Sequence, residues 1–217
     1  MKVPKPRLGR SALFAAGLAI LAASLSAFLG QRVFEGAPHV ADGISYAFQG
    51  KIFAAGRPWL DPPAVPDAFK AQNILLNATR WCGIYPPGFP LLLAAGWLLG
   101  VPSLVNPILL GLAVVGVFRL GKILFDETTG LFGALLLSVS PFALLMGASF
   151  MGHVAGLCVF TWCLTFLAES CTGRRARPLF LAGFLGAFGV VVRPQAAVFF
   201  LLPALLGTLI VRRKELL

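Results

Sequence analysis

The residues that could do chemistry are few. Asp42 lies in Pro38-His39-Val40-Ala41-Asp42-Gly43-Ile44-Ser45-Tyr46, within the one long polar-rich segment of the chain. A carboxylate within hydrogen-bond reach of a hydroxyl can take its proton as a general base. The same aspartate also stands where an N-cap would open a helix over residues 43–55, a structural role worth ~1 kcal/mol. Arg193, at the end of an apolar run and followed by Pro194, offers the fixed, bidentate cation that a phosphate needs; the alternative is an arginine snorkelling to lipid headgroups. His153 in Phe150-Met151-Gly152-His153 could hold a diphosphate or a metal, or simply sit at an interface. His39, three residues before Asp42, makes with it a two-ligand candidate for a divalent metal; no other cofactor is called for. Arg80 is a further candidate for substrate binding, although loop arginines are usually solvated. Tyr85 heads the rigid Tyr85-Pro86-Pro87-Gly88, whose glycine permits close approach of another backbone or a lipid chain.

The elements that must position these residues are membrane helices. The 217 residues are 58% hydrophobic and 12% charged, against about 25% charged in a soluble domain, and several apolar runs approach the ~20 residues that span a bilayer. A net charge of +10 raises the possibility of a nucleic-acid partner. Most of the basic residues, however, fall in short clusters at the ends of apolar runs: Lys2/Lys5/Arg7/Arg10, Arg119/Lys122, Arg174/Arg175/Arg177 and Arg212/Arg213/Lys214. Such clusters mark cytoplasmic loops, and nucleic acid is set aside. Cys82, Cys158, Cys163 and Cys171 form neither a CxxC pair nor a metal-ligand spacing.

Residues 1–10 read as a cytoplasmic tail and 11–30 as the first transmembrane helix. Its apolar region is longer than that of a cleaved signal peptide, the competing reading. Residues 31–102 then form an outer loop containing short surface helices. The apolar piece 91–99 is bounded by Pro90, Gly100 and Pro102 and is short for a span. Charge parity treats it as interfacial, because a sixfold crossing over 11–30, 103–122, 130–148, 153–170, 179–192 and 196–211 keeps every basic cluster inside. The fold class is therefore all-α, a polytopic transmembrane bundle of about six spans forming a single membrane domain over 1–217. Asp42, His39, His153, Arg80 and Arg193 all reach the outer face.

The order of motifs resembles a known family. Asp42-Gly43-Ile44-Ser45-Tyr46-Ala47-Phe48-Gln49, Gly56-Arg57, Tyr85-Pro86-Pro87-Gly88-Phe89-Pro90-Leu91-Leu92, Asn106-Pro107, Gly121-Lys122-Ile123-Leu124-Phe125, Ser140-Pro141-Phe142 and Arg193-Pro194 together look like the N-terminal half of a C-type membrane glycosyltransferase. The relevant superfamily is that of protein O-mannosyltransferase and aminoarabinose transferase, similar to glycosyltransferase family 39. The resemblance implies transfer of a sugar from a polyprenyl-phosphate donor to a lipid, glycan or protein acceptor at the outer face of the inner (plasma) membrane, within a longer enzyme. It also implies a catalytic acid in the first outer loop, which matches Asp42; relatives often carry a second acid where this chain has Gly43. The rival readings are a transporter segment and a lipid-binding relative without chemistry. Transporters place polar groups at mid-membrane in repeated halves, whereas here they cluster outside and no repeat is visible.

Overall fold

In the computed structural model, which describes residues 9–173 and 176–216, the first apolar run is helix α1 (Arg10–Arg32). Lys2, Lys5, Arg7, Arg174 and Arg175 lie outside the described residues, as do the side chains of Arg212, Arg213 and Lys214. One face of α1 is small and buried, with Ala15, Ala19, Ala22 and Ser26, while Leu13, Phe14, Ile20 and Phe28 are exposed. This is the division expected in lipid, where small residues let helices approach and large apolar ones face acyl chains.

The loop segment holds α2 (Ala41–Ala54), a 3-10 turn (Pro66–Phe69), a two-stranded antiparallel hairpin of β1 (Ile74–Leu76) and β2 (Trp81–Gly83), and α3 (Gly88–Leu98). Eleven residues of helix reach only ~16 Å, too short to cross. The bundle continues through α4 (Val105–Leu124), α5 (Glu127–Val139), α6 (Pro141–Ala148), α7 (His153–Gly173), α8 (Ala176–Val192) and α9 (Pro194–Leu216). Helices thus stand at all six places where crossings are expected. Among the described residues three spans, Arg10–Arg32, Pro102–Leu124 and His153–Thr172, are long and apolar enough alone, and α5 with α6 makes a fourth if counted as one. The stretch 130–148 is not one straight helix. It bends by 58° because Ser140 starts a new helix, its Oγ accepting from the Ala143 amide, and Pro141 takes the first helical position.

Two apolar cores sit end to end. Ala15, Leu18, Ala22, Leu110, Val114, Phe118 and Ala134 join α1, α4 and α5. Tyr46, Phe89, Leu93, Phe150, Ala155 and Val192 join the loop helices α2 and α3 to α7 and α8. At one end of the bundle Arg119 pairs with Glu169 and Lys122 with Glu127, and Asp126 caps α5 by accepting from the Thr129 amide at 2.7 Å. At the other end Asn106 of α4, buried to 2% exposure, donates from Nδ2 to the carbonyls of Ser149 (2.7 Å) and Met151 (2.8 Å). It thereby fixes the unwound link between α6 and α7.

Candidate functional site

Asp42 lies in the first turn of α2, but it does not cap the helix. The N-cap is Val40, with no side-chain hydrogen bond to the helix, which corrects the expectation of a capping aspartate. The carboxylate is engaged elsewhere: Asn73 donates from Nδ2 to Asp42 Oδ1 at 2.6 Å. Four residues on, one helical turn away, Tyr46 stacks on Tyr85 with ring centroids 4.5 Å apart and meets Phe89 edge-on at 5.1 Å. Desolvation, followed by the interaction of its hydroxyl with the Asp42 carboxylate, pushes the Tyr85 phenol up to about 12. Burial also raises the Tyr46 phenol, a rise that Arg193 partly offsets. These are the only two tyrosines in the chain.

Asp42, Tyr46, Tyr85, His153 and Arg193 line one cleft of about 190 Å³, with Met151, Pro194 and Gln195. Four elements must meet to build it, and glycines let them. A Cβ on Gly88 would stand 2.6 Å from the Val191 carbonyl oxygen, one on Gly152 3.3 Å from the Phe89 ring, and one on Gly156 3.1 Å from Arg193 Cδ. The aliphatic stem of Arg193 therefore lies along the bare face of α7. Gly43 is buried in the same region, where a Cβ would make ordinary contact with Phe150 (3.6 Å) and need Pro38 (3.3 Å) to give way by a few tenths of an ångström.

The electrostatics favour an anion. First-turn residues of three helices line the cleft: Asp42 of α2, His153 of α7, and Pro194 with Gln195 of α9. The first amides of a helix lack intrahelical partners and carry the positive end of its dipole, which is where phosphates bind. Arg193 adds a full charge and has no ion-pair partner among the described residues. His153 Nδ1 is buried without a hydrogen-bond partner there.

The structure thus brings together Asp42, Tyr85, His153 and Arg193, but not His39 or Arg80. His39 is exposed and its Nε2 meets the Phe34 carbonyl at 2.8 Å. Arg80 lies over the Trp59 ring, 4.4 Å from its centroid. No group of three His, Cys, Asp or Glu side chains suited to a metal occurs among the described residues. The residues missed from sequence are Tyr46, Gln195 and Asn73. Tyr46 could have been found by its i+4 spacing from Asp42, and Gln195 by its place in the first turn after Arg193. Two larger hollows gather no comparable set. One, of about 290 Å³ between Phe48, Phe69 and Trp81, contains Lys70, which pairs with Asp67. The other is an apolar hollow beside Arg177 and Phe180.

Residues 86–217 match the family described as dolichyl-phosphate-mannose-protein mannosyltransferase. The match takes in His153 and Arg193 and begins just after Tyr85, leaving Asp42 and Asn73 outside it. Searches of curated proteins and of solved structures find no match.

Proposed function

The chain belongs to the dolichyl-phosphate-mannose-protein mannosyltransferase family, and on that premise we propose that it moves a sugar from a polyprenyl-phosphate donor to an acceptor hydroxyl in the cleft of Asp42 and Arg193. The observation that carries this reading is the meeting in one cleft, at three helix N-termini, of a carboxylate held by the Asn73 amide and an arginine with no ion-pair partner among the described residues. Glycosyl transfer needs both at once. Asp42 accepts the proton of the acceptor hydroxyl as its oxygen attacks the anomeric carbon. The bond from that carbon to the phosphate oxygen breaks, and the polyprenyl phosphate leaves with the electron pair. Arg193 and the first amides of α7 and α9 stabilise the charge gathering on the leaving phosphate. Tyr85, its phenol pushed up to about 12, stays protonated at physiological pH and does not compete with Asp42 as a base.

The family description names a mannose donor; the cleft supports the wider class, one sugar on a polyprenyl phosphate, with a lipid, glycan or protein acceptor. No step is routed through a metal. We place the cleft at the outer face, with the N-terminus cytoplasmic, on the positive-inside argument. The opposite end of the bundle carries Arg119, Lys122 and Arg177, which supports that orientation.

The decisive experiment is Asp42→Asn in the full-length protein in membranes, scored by transfer of labelled sugar from synthetic polyprenyl-phosphate sugars. A loss of ~10²–10⁴-fold is expected from removing a general base, with membrane insertion unchanged. Transfer at the wild-type rate removes Asp42 from the role. Orientation is tested separately. A membrane-impermeant maleimide added outside intact cells should label an Arg57→Cys variant built on Cys82→Ser, which removes the native thiol of the same loop, and spare the native, exposed Cys171; labelling of Cys171 from outside inverts the topology.

A further inference from the structure

The hairpin of β1 and β2 does more than close the outer loop: its flanks bring Asn73 and Tyr85 to the side of Asp42. Asn73 precedes β1 and donates to the Asp42 carboxylate, and Tyr85 follows β2 by two residues and lines the cleft beside it. The hairpin is fixed against the helix that carries Asp42. Gly83 of β2 donates its amide to Gln49 Oε1 at 2.9 Å, and a Cβ there would stand 2.9 Å from the Ser45 carbonyl oxygen. Ser45, fully buried and one turn after Asp42, donates from Oγ to the Asn73 carbonyl at 2.6 Å. The Ile84 amide donates to that same carbonyl at 3.3 Å.

Asn73 is thus held through its carbonyl and reaches out through its amide. Its backbone is left-handed, with φ +63, a region that glycine enters freely and that asparagine and aspartate tolerate better than other residues. Glycine would satisfy the backbone but supply no donor. Aspartate would tolerate the backbone but set a carboxylate against Asp42. Of the three, only asparagine both fits the turn and donates.

We propose that Asn73 is a positioning residue for Asp42: it takes up Oδ1, fixes the plane of the carboxylate and leaves Oδ2 for the acceptor hydroxyl. This rests on Asp42 being the acting carboxylate, and it explains how a side chain in the first turn of a surface helix keeps one orientation without an ion pair. Asn73 itself does not line the cleft.

The test does not need sugar transfer, so it can fail independently of the function proposed above. The full chain in detergent micelles is treated at fixed pH with a water-soluble carbodiimide and glycine amide. Labelling of individual carboxylates is read by peptide mass spectrometry, and amide hydrogen exchange is measured over residues 73–85. In Asn73→Gly, which keeps the left-handed backbone, and in Asn73→Asp, which keeps shape and turn preference, Asp42 should label several-fold faster than in wild type. Glu35 and Asp61 should label unchanged, and the hairpin amides should exchange as before. Unchanged Asp42 labelling in Asn73→Gly overturns the proposal. So does faster labelling that appears only together with faster exchange of the hairpin amides, because Asn73 would then serve only to hold the turn.

Discussion

The two ends of the helix bundle use their charged groups in opposite ways. At the end where α4 stops and α5 starts, the charges are paired with one another: Arg119 with Glu169, and Lys122 with Glu127. Asp126 is taken up by the Thr129 amide, which holds its carboxyl below the ordinary aspartate range. At the end where α2, α7 and α9 begin, Asp42 is held by the neutral Asn73 amide and Arg193 has no ion-pair partner among the described residues. Paired charges close a structure, and unpaired ones at helix N-termini are left for something that is not part of the chain. The contrast, more than any one residue, is what supports proposing the chemistry at that end.

The contrast can be broken at its strongest point by neutralising the unpaired cation. Arg193→Met should lower sugar transfer by ~10²–10³-fold, the size of effect seen when one preorganised group facing developing negative charge is lost. The residual rate measured against wild type at equal membrane content checks it, and a rate within a few-fold of wild type would make Arg193 a headgroup anchor. The next effect is spectroscopic. Because Tyr46 and Tyr85 are the only tyrosines, tyrosinate absorbance reports this end alone. Asp42→Asn removes the carboxylate charge but not the burial that is the larger cause of the rise, so the Tyr85 titration should fall below about 12 while staying above the ordinary value of 10.0. In the wild type the folded chain keeps a proton that the unfolded chain releases, so Tyr85 favours folding below pH 10 and that contribution is lost as pH rises toward 12. A Tyr85 titration unmoved by Asp42→Asn would separate the two groups. The smallest effect belongs to the paired end. Arg119→Met should leave transfer unchanged and shift thermal stability by under ~1 kcal/mol, since half-exposed pairs contribute little. Loss of transfer there would erase the distinction between the ends.

Much of this was legible in the sequence, and the reasons differ by element. Apolar runs with basic ends give α1, α4 and α7, because a bilayer imposes a length and a charge rule on them. The proline and glycine around 91–99 set the short α3 apart from the crossing helices. Asp42, His153, Arg193 and Tyr85 could be nominated because charge parity brings three of them to one face and the rigid Tyr85-Pro86-Pro87-Gly88 points to the fourth. The hairpin could not be read. Its strands are three residues each, too short to show an alternating pattern, and its turn depends on Asn77 Oδ1 accepting from the Thr79 and Arg80 amides, a local arrangement that many asparagines never adopt. Asn73 was invisible for the same reason, since its meaning lies in a positive φ and a partner 31 residues away. His39 and Arg80 were plausible by type, but each meets a nearer partner, the Phe34 carbonyl and the Trp59 ring.

The glycines around the cleft have a practical consequence for anyone who would reshape it. Gly156 faces the flexible stem of Arg193, Gly152 faces the Phe89 and Tyr46 rings, and Gly88 faces the backbone of Val191. A single methyl group at each meets a progressively stiffer obstacle: an alkyl chain that can swing aside, packed rings that can shift slightly, and a main-chain carbonyl that moves only with its helix. Alanine at these three positions therefore forms a graded series for engineering. The first narrows the cleft, the second tightens it against its aromatic wall, and the third asks α3 and α8 to separate. Read in that order, the series gives a ruler for the size of group the cleft admits.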